Sequence, residues 1–214
     1  MKKFLPLIAL AILNISACKE NAGNNSVKLS RDEIKSRSFS ELFKEIEAKD
    51  IPKDVFTLIG KDFAVITAGK KEHYNSMVAG WGGWGILFGE PTTFLMLRSS
   101  RYTLELMRKE QSYTMAFFDA EYKNDVMEFG RQSGRDSDEK MRNTKLIAVE
   151  TPTGNMTFKE AKLIIECKLV QVTTVSPDDY YTDESKKFVV DAQAETGDYH
   201  KVVFGEITNV WVRN

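Results

Sequence analysis

The run AKLIIECKLVQVTTV, residues 161–175, is the longest β candidate in the chain and does most to limit what it can fold into. Its leucines, isoleucines, valines and threonines favour a pleated strand. A second run, YHKVVFGEITNVWVRN, closes the sequence as another strand with a break at Gly205. VFTLIG (55–60) and FAVITAGK (63–70) read as two short strands joined by a turn at Lys61 and Asp62. TTFLMLR (92–98) and YTMAFF (113–118) are further strands, and LIAVETPTGNMTF (146–158) reads as strand, turn, strand about Thr153, Gly154 and Asn155. Between them lie three short helical stretches, SSRYTLELMRKEQ, NDVMEFGRQSG and SDEKMRN. Many strands with few short helices predict a mainly β fold, an antiparallel barrel with its helices at the periphery. The 10–15-residue helices that alternate with strands in a parallel βαβ sheet are not in the pattern.

The 214 residues are 42% hydrophobic and 29% charged, which fits one domain of ordinary composition. A net charge of −1 gives no electrostatic reason to expect nucleic acid as a partner. Two histidines, His73 and His200, and two cysteines, Cys18 and Cys167, are too few for a His/Cys metal site. The N-terminus, MKKFLPLIALAILNISAC, has two lysines, a short apolar run and small residues before Cys18, the pattern of a secretory signal. The apolar run is shorter than the ~20 residues a membrane span takes. ISAC also resembles the bacterial lipobox, which implies a lipoprotein with a signal at 1–17, lipid on Cys18 and a location at the cell envelope, periplasmic or outer membrane. Polar residues then predict a tether over 18–37, and the remaining domain spans 38–214. Phe39, Leu42, Phe43 and Ile46 recur at helical spacing, Ser38 or Ser40 can cap the start and Pro52 closes it, which predicts a helix over 38–50. Cys167, inside the longest apolar run, is expected as a buried small hydrophobe, with a reactive thiol as the alternative.

Two other stretches carry the chemistry. RSSRYT, Arg98 to Thr103, falls where a strand ends and a helix begins. Two arginines, hydroxyls and the free N–H groups of a helix start suit a phosphate; a capped helix with solvent-facing arginines is the plainer alternative. YNSMVAGWGGWG, Tyr74 to Gly85, sets tryptophans among glycines, as a backbone lying close to something flat requires. Trp81 and Trp84 are stackers on that reading and core residues on the other. A phosphate site beside a site for a flat ring suits flavin mononucleotide.

From about Asp54 to its end the chain resembles the flavin reductase family, whose fold is the FMN-binding split barrel, an antiparallel Greek-key barrel. Ile66-Thr67-Ala68-Gly69 matches the family's ITAG strand end, and NSMVAGWGGWG matches its N-x-M-T-x-S-W-G-G-x-G segment. Arg98, Arg101, Tyr102 and Thr103 match R-x-x-R-Y-T, SGRDSDEK matches S-G-R-D-x-D-K, and His200 with Gly205-Glu206-Ile207 matches the closing H-x-x-x-x-G-E-I strand. The resemblance implies FMN as cofactor. Asn75, Ser76 and Met77, with Val78 and Trp81 on the backbone after them, should lie against the isoalloxazine ring and ribityl chain. Arg98, Ser99, Arg101, Tyr102 and Thr103 should hold the phosphate. Ser133, Gly134 and Arg135 should approach from another loop or across a homodimer interface. His200 and Glu206 shape the pocket edge or form a structural strand pair. Val78 and Gly80 stand where the family has threonine and serine, so two hydroxyls are lost, at a typical cost of about 1 kcal/mol each.

Flavin chemistry needs positioning by the protein and no side-chain nucleophile, which agrees with the lack of an acid–base pair here. The resemblance therefore implies an FMN-dependent oxidoreductase passing electrons through a bound flavin. Its electron donor and acceptor are not named by the sequence. An envelope location conflicts with cytoplasmic NADH or NADPH as donor. Two alternatives follow: a flavin-binding or electron-transfer lipoprotein without enzymatic activity, and a barrel reused for interaction with its pocket empty.

Overall fold

The central strands are buried on both faces, so the sheet has a core on each side. The computed structural model describes residues 29–52, 54–135, 137, 139–191, 193 and 196–214. The signal at 1–17, Cys18 and the tether as far as residue 28 lie outside the described residues. In chain order the elements are α1 (Arg31–Ser36), α2 (Phe39–Leu42), β1 (Phe43–Ile46), α3 (Val55–Thr57) with a π-helical continuation Leu58–Asp62, β2 (Ala64–Lys70), β3 (His73–Ala79) and β4 (Gly82–Leu87). There follow β5 (Glu90–Arg98), α4 (Tyr102–Glu110), β6 (Ser112–Phe117), α5 (Lys123–Arg131), α6 (Glu139–Asn143), β7 (Ala148–Glu150), β8 (Met156–Phe158), β9 (Leu163–Thr174), α7 (Asp183–Asp191) and β10 (His200–Arg213).

The main sheet is antiparallel and eight-stranded, in the order β3-β2-β6-β9-β10-β5-β4, with β1 also on β10. The β7–β8 hairpin stands apart as a two-stranded ribbon. Side chains alternate across a strand, and here each side has its own core. Ile66, Met115, Ile165 and Val210 face one cluster, which includes Leu104 and Met107 of α4. Their neighbours Val65, Ala116, Ile164 and Trp211 face a second, covered by Phe39, Leu42, Val126, Phe129 and Phe158. Burial on both sides is why these strands read as unbroken apolar runs instead of alternating ones.

β10 organises the sheet. One edge runs along β9, and the other is shared: His200–Glu206 pairs with β5, and Val210–Arg213 pairs with β1. The register slips between Phe204 and Gly205 and again between Ile207 and Asn209, bulges that bend a strand and let it change partner. Gly205 has no side chain because Tyr113 passes over it, and a Cβ there would collide with the Tyr113 hydroxyl. That hydroxyl bonds Thr93 Oγ1 at 2.7 Å, which in turn donates to the Gly205 carbonyl at 3.2 Å. Cys167, 1% exposed beside them, is the buried small hydrophobe expected, and burial pushes its thiol pKa up to about 12.

Three local expectations are corrected. The helix predicted over 38–50 stops after Leu42. Glu41 accepts from both the Ser38 N–H and hydroxyl, so the helix starts where predicted, but Phe43–Ile46 pair with the open edge of β10. A ladder with a partner outweighs weak helical spacing. The tether ends earlier than residue 37: Ser30 and Glu33 form a capping box, and Ile34 of α1 is 3% exposed. VFTLIG is helical, not a strand: Asp54 accepts from the Thr57 N–H at 2.8 Å, and the following turn buries Leu58 and Ile59 while Phe56 stays exposed.

Candidate functional site

β3 and β5 do not pair directly; the corner Gly80–Trp81 and β4 lie between them in the chain. The corner is fastened to β5 by the Met96 N–H, which donates to the Trp81 carbonyl at 3.1 Å. β5 ends at Arg98, and the loop to α4 closes with the Arg101 N–H on the Arg98 carbonyl at 3.1 Å. Between these segments and the start of β10 lies a cleft of about 320 Å³. Met77, Val78, Ala79 and Gly80 form one wall, Met96 and Leu97 another, with Trp81, Arg98, Arg101 and His200 at the rim. Trp81 is 46% exposed, and its ring centroid lies 5.0 Å from that of His200.

His200 is the sharpest feature of this cleft. It is buried, its backbone N–H donates to Gln193 Oε1 at 2.8 Å, and its ring Nδ1 has no hydrogen-bond partner among the described residues. An unpaired buried nitrogen costs roughly 1–3 kcal/mol. Burial, followed by the Arg98 charge, lowers the His200 pKa and keeps the ring neutral near neutral pH. Methionine, valine and tryptophan side chains beside two arginines in one cleft suit a flat ring carrying an anionic tail.

Behind the cleft wall is a buried polar group. Asn75 Nδ2 donates to Thr103 Oγ1 at 2.7 Å, Ser76 Oγ pairs with Thr67 Oγ1 at 2.8 Å, and Lys140 Nζ donates to the Ser76 carbonyl at 2.7 Å. Burial, then the Arg101 charge, lowers the Lys140 pKa to about 8. Gly134 lies so close that a Cβ on it would collide with the Asn75 amide oxygen. On the outer side, Tyr102 Oη meets His73 Nε2 at 2.6 Å, and the Arg135 guanidinium sits 5.2 Å from the Tyr102 ring centre while pairing with Glu105 at 2.7 Å.

Of the residues predicted to hold a flavin, Met77, Val78, Trp81, Arg98 and Arg101 line the cleft. Asn75, Ser76 and Thr103 are buried with their polar atoms engaged inside the protein. Tyr102, Ser133, Gly134 and Arg135 gather beside the start of α4, and Ser99 turns to Asp198, donating to its Oδ1 at 2.7 Å. The glycine-rich stretch corrects an expectation. A Cβ on Gly80 would press on the Phe63 ring, and one on Gly83 on the Phe94 ring, each at 3.0 Å. The flat objects those two glycines accommodate are phenylalanines of this chain. Trp84 packs edge-on to Phe117 at 6.1 Å and does not line the cleft. Sequence reasoning gave no role to Met96, Lys140 or Asp198. Lys140 lay inside a quoted motif, whereas Asp198 sits in a polar stretch that offers no signal.

The sequence model of the flavin reductase like domain matches residues 57–214, and the chain belongs to that family. Among solved structures, the FMN-binding protein of Thermus thermophilus, with bound 1-cyclohex-2-enone, is 22% identical, with 76% of this chain and 75% of that one covered and a TM-score of 0.54. The FMN-binding domain of a flavin reductases-like enzyme from Shewanella baltica is 15% identical over 76% of its length and 79% of this chain, at 0.56. Flavoredoxin of Desulfovibrio vulgaris is 20% identical over 68% of its length and 70% of this chain, at 0.52. At these identities the likeness is one of fold, and the fold is the split barrel. A search of the curated proteins finds no match to this chain.

Proposed function

We propose that this chain binds FMN in the cleft between Trp81, Arg98 and His200 and passes electrons through it as an oxidoreductase. The observation that carries this reading is the cleft itself, in which Met77, Val78 and Trp81, expected against the ring, meet Arg98 and Arg101, expected at the phosphate. Family membership and the FMN bound by structural neighbours agree with it. When bound, the flavin supplies the redox chemistry, accepting electrons from a donor and releasing them to an acceptor.

The chain's own residues bind, orient and keep water out. Arg98 and Arg101 attract the anionic end, and their guanidiniums suit phosphate. Met77, Met96 and Trp81 cover the flat part, beside the neutral ring of His200. Val78 and Gly80 contribute no hydroxyl, so polar contact along that wall rests on backbone groups. We further propose that the protein is a homodimer held at the cell envelope by lipid on Cys18. The lysine-led apolar run before Cys18 supports the anchor. Phe56, Ile86 and Phe88 are each more than two-thirds exposed, and covering such side chains would support a second copy.

A second reading, an electron-transfer module without nicotinamide activity, is favoured by the lost hydroxyls at Val78 and Gly80 and by the distance of an envelope protein from cytoplasmic NADH. The purified chain from residue 19 onward is expected to carry or take up FMN, seen as a flavin visible spectrum that is released on denaturation. A colourless protein that ignores added FMN overturns both readings. Anaerobic bleaching by NADH separates the enzyme from the carrier.

A further inference from the structure

The loop expected to hold the flavin phosphate already holds an anion of its own. Ser99 Oγ donates to Asp198 Oδ1 at 2.7 Å, the Ser100 N–H donates to the same oxygen at 3.0 Å, and Ser100 Oγ donates to Oδ2 at 2.5 Å. Two hydroxyls and a backbone N–H converging on one carboxylate are the donors a phosphate would use. Partial burial works against ionisation of Asp198, but the Ser100 and Ser99 bonds and the Arg98 charge outweigh it and hold the carboxyl below its ordinary value. Asp198 is thus an anion at any pH near neutral.

Its position is fixed from the other side as well. The turn before β10 is tied by the Gly197 N–H to the Gln193 carbonyl at 2.9 Å and by the Asp198 N–H to Thr196 Oγ1 at 3.3 Å. Gln193 also receives the N–H of His200, two residues on from Asp198 and itself at the cleft rim. The carboxylate therefore sits where the cleft's arginine end meets the Ser99–Ser100 loop. A phosphate arriving at Arg98 and Arg101 finds the neighbouring donors taken and a like charge beside it.

We propose that Asp198 is a specificity-determining residue that competes with the terminal phosphate of the flavin for the Ser99–Ser100 donors, lowering the preference of the cleft for FMN over riboflavin. This rests on the flavin-binding function proposed above. Arg98 and Arg101 still attract the phosphate, so Asp198 tunes the preference without abolishing FMN binding. Riboflavin has the same ring and ribityl chain and no phosphate, so its affinity is the internal control.

The test is a pair of fluorescence titrations, riboflavin and FMN, on the wild type and on Asp198→Asn. The expected result is an unchanged riboflavin affinity and an FMN-to-riboflavin affinity ratio raised by at least about fivefold, the size of one hydrogen bond regained by the phosphate. A ratio that stays the same or falls overturns the proposal and makes Asp198 a support for the loop. If Asp198→Asn no longer binds riboflavin, Asp198→Ser, whose hydroxyl can still bond to the loop, carries the same comparison with the same two outcomes. Absence of binding by either flavin to the wild type overturns the proposed function, and this inference with it.

Discussion

At the residue scale, Lys140 carries an unusual burden for a lysine. It is 3% exposed, and it reaches the carbonyl of Ser76 directly behind the cleft wall. Its pKa falls from 10.5 to about 8 because burial penalises the ammonium, with Arg101 adding repulsion. Between those two values the unfolded chain holds the proton that the folded chain releases. The unfolded state then binds more protons, and stability rises with pH across that window. Lys140→Met does not titrate. Thermal melts of both proteins from about pH 7 to about pH 10 should show the wild type gaining on the variant as pH rises. A constant difference across that range would mean the folded Lys140 titrates normally. The sequence announced part of this residue scale and hid the rest. Arg98 and Arg101 are legible because charge beside a strand-to-helix junction is a local pattern. The pairing of Asn75 with Thr103, or of Ser99 with Asp198, joins positions far apart in the chain, and no local pattern encodes it.

At the scale of elements, the paired strands were legible because β2, β6 and the Leu163–Cys167 half of β9 are buried on both faces and are therefore largely apolar. The misread segments are those whose state depends on a distant partner. Phe43–Ile46 become a strand because β10 leaves an edge free beyond the end of β5. The helix α7, with Asp183–Lys187 exposed, lacks the apolar stripe that would have marked it. Gly205 was visible as a break, but its cause is tertiary. It lies at the slip where β10 accommodates Tyr113, and a methyl there meets the phenol hydroxyl. Gly205→Ala should destabilise the fold by about 1–3 kcal/mol, the range for forced overpacking, measured by urea unfolding. In a Tyr113→Leu background, where the hydroxyl and the colliding ring edge are both gone, the same substitution should cost less. Equal costs in the two backgrounds would place the strain elsewhere.

For the molecule as a whole, β10 is the element on which everything else depends. It pairs with β9 along nearly its whole length, with β5 at its start and with β1 at its end, and it contributes Val203 and Val210 to one core and Trp211 to the other. Freeing it would open both cores at once, so its amides should exchange only when the whole chain unfolds. The flanking pieces are different. The Asp183–Lys187 part of α7 is exposed, and the segment 196–199 that bears Asp198 is bonded chiefly to itself and to the Ser99–Ser100 loop. Such regions open locally at a small fraction of the global free energy. Hydrogen exchange should therefore find the amides of Val203 and Val210 among the slowest in the chain, and those of α7 and residues 196–199 much faster. If FMN displaces Asp198 from the loop, adding it should alter exchange at 196–199 while leaving β10 beyond Gly205 unchanged. Equal protection of α7 and β10 would contradict this division of the molecule into a rigid shared strand and a separable rim. It would also remove the physical basis for a carboxylate that can yield its place to a ligand.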